Sequence, residues 1–343
     1  MSDTEYAEYG PHNRSRNLED EEQVWEHNCW DNVAWNAEME AEAESKVEHQ
    51  RQNSLIYQKK LGNLERVAEL EAAQEELRRN KKWLRSNPQA DDLNEASKKW
   101  DVFYNNHERW FFKDRQWLRG EFRELFYDTD LAVLNTNNST YTFPAARRIM
   151  EIGCGAGNTV FPIWKERKND TNLEHIYACD FAPKAVELVK SFRDFCPQKM
   201  TAFVHDLSSN VQFVEEGIAE GSLDAITAIF VLSALKPVDL LGAFKKIFAA
   251  LRPGGLLLFR DYGRYDLTQL RLKPDRLIDD DFYFRGDGTT VYFFTEEKLR
   301  ELAQAAGFVV LEVRNDRRII TNRHRKIKMY RNWIQAKFMV PQQ

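Results

Sequence analysis

The feature that most constrains this chain is a glycine-rich turn, Glu151-Ile-Gly153-Cys-Gly155-Ala-Gly157, set between a short apolar run and an amphipathic one. Such a turn lets the backbone approach a ligand closely and aims the first amides of the next helix at it. Around it, apolar runs at Arg148–Gly153, Ile176–Phe181, Thr201–Leu207, Leu223–Val231 and Leu256–Tyr262 alternate with helical segments at Val160–Lys168, Lys184–Phe195 and Leu240–Leu251. Short buried runs separated by amphipathic helices predict βαβ units and a parallel sheet. Pro183 at a helix start and Gly254-Gly255 past a helix end fit the usual asymmetry of helix ends. Thr295, followed by Glu296 and Glu297, reads as an N-cap with acids favoured by the helix dipole. Two last apolar runs, Phe308–Val313 and Ile327–Phe338, suit a closing antiparallel hairpin. Residues 145–343 are therefore expected to form a doubly wound α/β domain: a mostly parallel seven-stranded sheet with an antiparallel C-terminal hairpin.

Upstream the character changes. Residues 1–25 are polar and acidic and predict a disordered tail. Residues 26–144 predict a helical region, in which Ala37–Arg85 is rich in strong helix formers. There Tyr57, Leu61, Leu64 and Ala68 share one face and Leu70, Ala73, Leu77 and Leu84 another. This suits a helix or helix pair touching several neighbours, or else a solvated spacer. Ser86-Asn87-Pro88 ends it, and the Asn/Thr-rich Tyr127–Pro144 predicts a loop or linker.

The net charge of −5 hides a segregation: residues 1–45 carry 13 acidic and 2 basic side chains, whereas residues 314–337 carry 9 basic and 1 acidic. Local basic patches steer polyanions whatever the net charge. No apolar run approaches the ~18–20 residues that span a bilayer, so no membrane partner is expected. The acidic start lacks an apolar signal core and an Arg-rich presequence face, which points to the cytoplasm, with the nucleus also open. Four cysteines without a C-x-x-C pair and seven histidines without H-E-x-x-H spacing predict neither disulfides nor a metal site.

The glycine spacing is G-x-G-x-G with an acid two residues ahead, not the G-x-G-x-x-G that seats a dinucleotide pyrophosphate. A nucleotide-dependent oxidoreductase is thus the weaker reading. The pattern resembles motif I of the class I, Rossmann-like methyltransferases that use S-adenosylmethionine. That resemblance implies S-adenosylmethionine as cofactor, with Gly153 and Gly155 against its amino-acid part and Asp180 accepting both ribose hydroxyls. Asp206 and Leu207 would lie beside the adenine, and Ile229 would supply an apolar wall. All these positions fall at strand C-terminal ends, where open α/β sheets bind ligands. Cys154, inside the turn, has no visible partner base and reads as a small packing residue.

After the fourth core strand, Ile229-Phe-Val-Leu-Ser-Ala234 lacks the Asn/Asp-Pro-Pro-aromatic loop of enzymes that methylate planar exocyclic amines. There is also no Pro-Cys pair for covalent attack on a pyrimidine. A nucleophile with its own lone pair fits better. Trp100-Asp-Val-Phe-Tyr104, Phe111–Trp117, Glu151–Pro162, Cys179-Asp-Phe181, Phe259–Asp266, Phe282–Gly288 and Val291–Thr295 resemble the tRNA 3-methylcytidine methyltransferases. The likeness runs from about Val24 to the C-terminus, and His27–Trp35 resembles the branch acting on threonine tRNAs. It implies methylation of N3 of cytosine 32 in the anticodon loop, with tRNA as partner. Some family members also need a hypermodified adenosine 37 or a protein partner. Trp100 and Tyr104 would join the cofactor site from outside the sheet.

The residues suit that task. Trp100–Phe122 holds eight aromatics in 23 residues, interleaved with Arg109, Lys113, Arg115 and Arg119. Stacking rings plus cations is how single-stranded RNA is commonly held; a core helix with solvated charges would look similar. Arg260 and Arg264 follow the fifth strand. Arg285 opens an Arg-Gly-Asp-Gly stretch that is either a substrate loop or an Asp-Gly turn. The run Arg317, Arg318, Arg323, Arg325, Lys326, Lys328 and Arg331 reads as a phosphate track or a solvated hairpin face. An N3-methylated cytosine is cationic, so a nearby carboxylate would stabilise the transition state, with Asp206, Asp261 and Asp266 as candidates. Two alternatives stand beside this reading: an N-methyltransferase for a protein or small molecule, and an RNA-binding protein with a vestigial core. Intact glycines and acids argue against the vestigial core, and the aromatic-basic stretches argue against a small-molecule substrate.

Overall fold

The computed structural model describes residues 16–18, 20–80, 96–107, 114–126, 132–136, 139–143 and 146–342. Its first element is a 3-10 turn, Glu21–Trp25, in which Asp20 accepts from Glu22 N and Val24 is fully buried. Residues 21–25 thus depart from the disordered tail expected over 1–25; residues 1–15 lie outside the described residues. The apolar side chains explain the difference. Val24 and Trp30 pack with Ile319, Trp30 Nε1 donates to Val24 O (2.9 Å), and β1 (Cys29–Trp30) pairs with the far end of the chain.

The helical stretch is divided by its own polar residues. Asn36 caps α1 (Ala37–Asn53) by accepting from Met39 N. Ser54 then ends it: its hydroxyl accepts from Tyr57 N and donates to Leu277 O, opening α2 (Leu55–Lys60). A buried serine satisfied in this way competes with continuation of the helix. After the Gly62-Asn63 turn come α3 (Leu64–Asn80), α4 (Ala96–His107) and the short α5 (Leu118–Glu121). The expected loop at 127–144 contains an antiparallel hairpin instead, β2 (Ala132–Thr136) with β3 (Ser139–Phe143). Its Val and Thr residues favour strands, a preference that the Asn/Thr-rich composition concealed.

From Arg148 the alternation is as expected: β4 (Arg148–Ile152), α6 (Val160–Arg167), β5 (His175–Asp180), α7 (Pro183–Lys190), β6 (Met200–Val204), β7 (Leu223–Ile229), α8 (Leu240–Ala250) and β8 (Leu251–Tyr262). An inserted unit follows, with α9 (Leu267–Leu270) and a small sheet of β9 (Leu277–Asp279), β10 (Phe282–Phe284) and β11 (Thr290–Tyr292). Then come α10 (Glu296–Ala306), capped by Thr295, and the long hairpin β12 (Val309–Asn322) and β13 (Ile327–Met339). The main sheet runs β1-β12-β13-β8-β7-β4-β5-β6, parallel from β8 to β6 and antiparallel beyond. It has eight strands rather than seven because Cys29–Trp30 adds an edge to β12. Alternate residues of β4 enter two cores. Met150 and Ile152 face α8 and α10, while Ile149 packs with α6, α7 and Phe122. Among the described residues no helix is long and apolar enough to cross a membrane, and no cluster of His, Cys, Asp or Glu is arranged to hold a metal ion.

Candidate active site

The C-terminal ends of β4, β5, β6 and β7 open onto a cleft of about 320 Å³. At its base the glycine turn leaves β4 with Gly153, Gly155 and Gly157 all at positive φ. A side chain on Gly153 would overlap Val231, and a Cβ on Gly155 would lie 2.8 Å from the Tyr104 hydroxyl. Only glycine lets Val231 and Tyr104 pack this close to the turn. Glu151 fixes the turn from below. It is 1% exposed, accepts from Val160 N at the start of α6 (3.1 Å) and pairs with Arg115 (3.0 Å). Arg115 also donates to Thr159 Oγ1 and Ile229 O. Burial pushes the Glu151 carboxyl up to about 7 against the pull of Arg115.

Asp180 ends β5 inside the cleft, its carboxylate accepting from Gly155 N (2.9 Å) and Ala182 N (3.0 Å). Burial pushes it up to about 6. Asp206 and Leu207 follow β6 on the cleft wall, with Asp206 accepting from the N–H and hydroxyl of Ser208. From outside the sheet, α4 brings Trp100 and Tyr104 to the same cleft. Asp101 locks the helix there by accepting from Lys184 N (3.0 Å), and Phe103 packs with Phe181 and Ala185. Six of the sequence-selected cofactor residues therefore converge, and Gly155 adjoins them through Tyr104. Ile229 does not reach the cleft. It is 1% exposed within the core, and the wall is made by Phe230, which turns the chain at φ 55°, and by Val231. Sequence reading also missed Lys236, Asp239 and Thr290 on the wall; they come from elements with no local motif.

The three carboxylate candidates separate. Asp206 lines the cleft. Asp261 is fully buried behind the turn after β7, accepting from Ser233 N and Tyr262 N, and burial pushes it up to about 6. Asp266 is neither at the cleft nor free: it caps α9 through Thr268 N and is held by Arg331 (2.9 Å). Its position is structural.

The cations divide likewise. Arg115 is held in its pair with Glu151. Arg260, 2% exposed, bonds Asp316 and Gln335 between the rings of Trp117 and Trp333, on a stretch of β8 that is buried on both faces. Neither presents a surface charge to phosphate. Arg264 is paired with Asp281 (3.3 Å) and Glu44 (3.2 Å), and Arg285 lies over the Tyr262 ring. Within the proposed phosphate track, Arg318 is tied to Asp31, Asp316 and Glu121, and Arg331 to Asp266. Exposed cations remain at the hairpin tip: Arg323, Arg325 and Lys326, the last 4.9 Å over Trp25. Lys113 lies outside the described residues.

A family model described as a methyltransferase domain matches residues 120–313. A tRNA(Thr) (cytosine(32)-N(3))-methyltransferase of Saccharomyces cerevisiae is 42% identical over 95% of this chain, which spans 45% of the yeast protein's length. The tRNA N(3)-cytidine methyltransferase METTL2 of Danio rerio is 39% identical over 97% of this chain and 90% of its own. The Drosophila melanogaster tRNA N(3)-methylcytidine methyltransferase Mettl2 is 40% identical over 95% and 88%. The chain belongs to the tRNA N(3)-cytidine methyltransferase family. The length shared with the Danio rerio relative includes α1–α4 as well as the sheet domain.

Proposed function

We propose that the protein transfers a methyl group from S-adenosylmethionine to N3 of cytosine 32 in the anticodon loop of a tRNA, threonine tRNA first among them. The observation that carries this reading is the convergence of the glycine turn, Asp180, Asp206 and the α4 aromatics on one cleft, in a chain so similar to relatives named for that reaction. The cleft fits the cofactor. Gly153 lines it where Val231 closes on the turn, Asp180 offers acceptor lone pairs for hydroxyls, and Asp206 and Leu207 stand beside it for the base. Bound there, S-adenosylmethionine supplies an electrophilic methyl on a sulfonium.

Cytosine N3 carries an in-plane lone pair, so no side chain must remove a proton before attack. The protein's contribution is positioning and charge stabilisation. The base leaves its stack, which costs less in an anticodon loop than in a duplex. Asp206 and Asp239 on the wall, with Asp261 behind it, give the cleft carboxylates suited to a cationic methylated ring. The helical region 26–144 and the hairpin tip hold the RNA.

The test is mass spectrometry of digested tRNA, taken from a strain lacking the gene and incubated with the protein and S-adenosylmethionine. The expected product is 3-methylcytidine in threonine tRNA. Transfer only to adenosine, to cytosine C5 or to protein would overturn the reading. Arg323→Glu, Arg325→Glu and Lys326→Glu together are expected to weaken tRNA binding without altering cofactor affinity. The slope of log affinity against log salt should fall by about 0.7–0.9 for each phosphate that the tip no longer neutralises. Unchanged slopes would make the tip a solvated surface.

A further inference from the structure

One buried ammonium has no part in the chemistry of the cleft. Lys246, in the second half of α8, is 5% exposed, and its Nζ donates to the main-chain carbonyls of Leu207 (3.0 Å) and Ser209 (2.8 Å). These two carbonyls belong to the turn that leaves β6, the segment that brings Asp206, Leu207 and Ser208 to the cleft wall. The turn's other polar bonds are internal. Ser208 donates to the Asp206 carboxylate, and Ser209 donates to Asp206 O from both its N–H and its hydroxyl. They give the turn a shape but do not fasten it to the protein. Among the described residues, the Leu207 side chain in the core and Lys246 do that, with His205 N bonded to Asp180 O just ahead of the turn. The helix supplying Lys246 is anchored in the same core through Ala243, Phe244 and Ile247.

Energetics argue that this charge has a use. An ammonium taken out of water costs free energy unless its protons are bonded, and burial pushes the Lys246 pKa down while nearby Asp206 pulls it up. For folding stability alone, an apolar side chain of similar volume often serves as well as a buried charge. What an apolar side chain cannot do is fix two carbonyls of a surface turn. Binding sites gain affinity when such supporting contacts hold the contact residues in place before the ligand arrives.

We infer that Lys246 is a positioning residue for the adenosine end of the cofactor site, holding the Asp206–Ser209 turn in its binding geometry without touching the ligand. The inference rests on the S-adenosylmethionine reading of the cleft. S-adenosylhomocysteine, titrated calorimetrically into the full-length protein, tests both. The parent is expected to bind, Lys246→Met to bind about tenfold more weakly, and Lys246→Arg, which keeps donors for both carbonyls, to recover most of the loss. In turnover assays Lys246→Met should raise KM for S-adenosylmethionine by the same factor and leave kcat near the parent's. Because both residues act through one turn, adding Lys246→Met to Asp206→Ala should cost less than the two losses combined. A general loosening of the fold would give additive losses and no split between KM and kcat. If Lys246→Met is too unstable to titrate, Lys246→Gln, with a shorter donor, replaces it and should fall between Met and Arg. Parent-like affinity in Met and Gln, or full additivity with Asp206→Ala, overturns the role of Lys246. Absence of binding by the parent instead overturns the cofactor reading beneath it.

Discussion

Arg115→Met is expected to lower folding stability by about 3–5 kcal/mol, the usual consequence of leaving one member of a buried ion pair alone. Glu151 is 1% exposed at the root of the glycine turn, and Arg115 is its partner as well as a donor to Thr159 and Ile229 O. Denaturant midpoints measure the loss. Arg115→Met with Glu151→Leu should regain much of it, since the stranded charge is then gone. The pH dependence has a defined sign. The Glu151 carboxyl is raised to about 7 in the folded protein from an ordinary 4.5, so its contribution to stability is fully present below about 4.5 and is lost as pH rises through about 7. Removing Arg115 raises it further, so the variant's deficit against the parent should be larger at pH 8 than at pH 5. An equally stable variant with weakened tRNA binding and a reduced salt slope would return Arg115 to the phosphate-binding role that its aromatic-basic neighbourhood suggests.

Asp180→Ala should weaken S-adenosylhomocysteine binding by about ten- to a hundredfold, the effect of leaving one or two ligand hydroxyls without acceptors. Asp180→Asn, which keeps an acceptor oxygen, should lose less. Hydroxyl donors favour the ionised carboxylate. Burial raises Asp180 to about 6, so parent affinity should hold above that value and decline as pH falls through it, whereas Asp180→Asn should show a flatter profile. Calorimetry across this range measures both effects. An unchanged Kd in Asp180→Ala would mean that the acid ending β5 serves only Gly155 N and Ala182 N.

The sheet was readable because burial imposes periodicity. β4, β5 and β7 appear in sequence as apolar runs, and Thr295 and Pro183 mark helix starts. Gly153, Asp180, Asp206 and Leu207 in the cleft follow the ends of such runs, whereas Trp100 and Tyr104, on α4, were reached only through the family resemblance. What local pattern could not convey was pairing across distance. Arg260 and Arg115 look like surface cations in sequence, and only the placement of Asp316 and Glu151 shows that they are internal. Asp266 looks like a rim acid until Arg331, on β13, meets it. Ile229 was off by one position because the turn at Phe230 depends on a left-handed residue in a segment with no glycine to announce it.

The pairing of Trp30 with Ile319 joins segments almost 290 residues apart, with consequences for how the molecule is made. Contacts so distant in sequence form slowly, because a long loop must close before they can repay the lost entropy. On the ribosome, which synthesises from the N-terminus, Val24 and Trp30 emerge first, and Ile319, which completes their cluster, follows only with β12. The hairpin tip that carries Arg323, Arg325 and Lys326 gains its aromatic neighbour Trp25 only then. The cofactor cleft takes no lining residue from either end of the chain, so its walls do not depend on the docking of the amino-terminal segment.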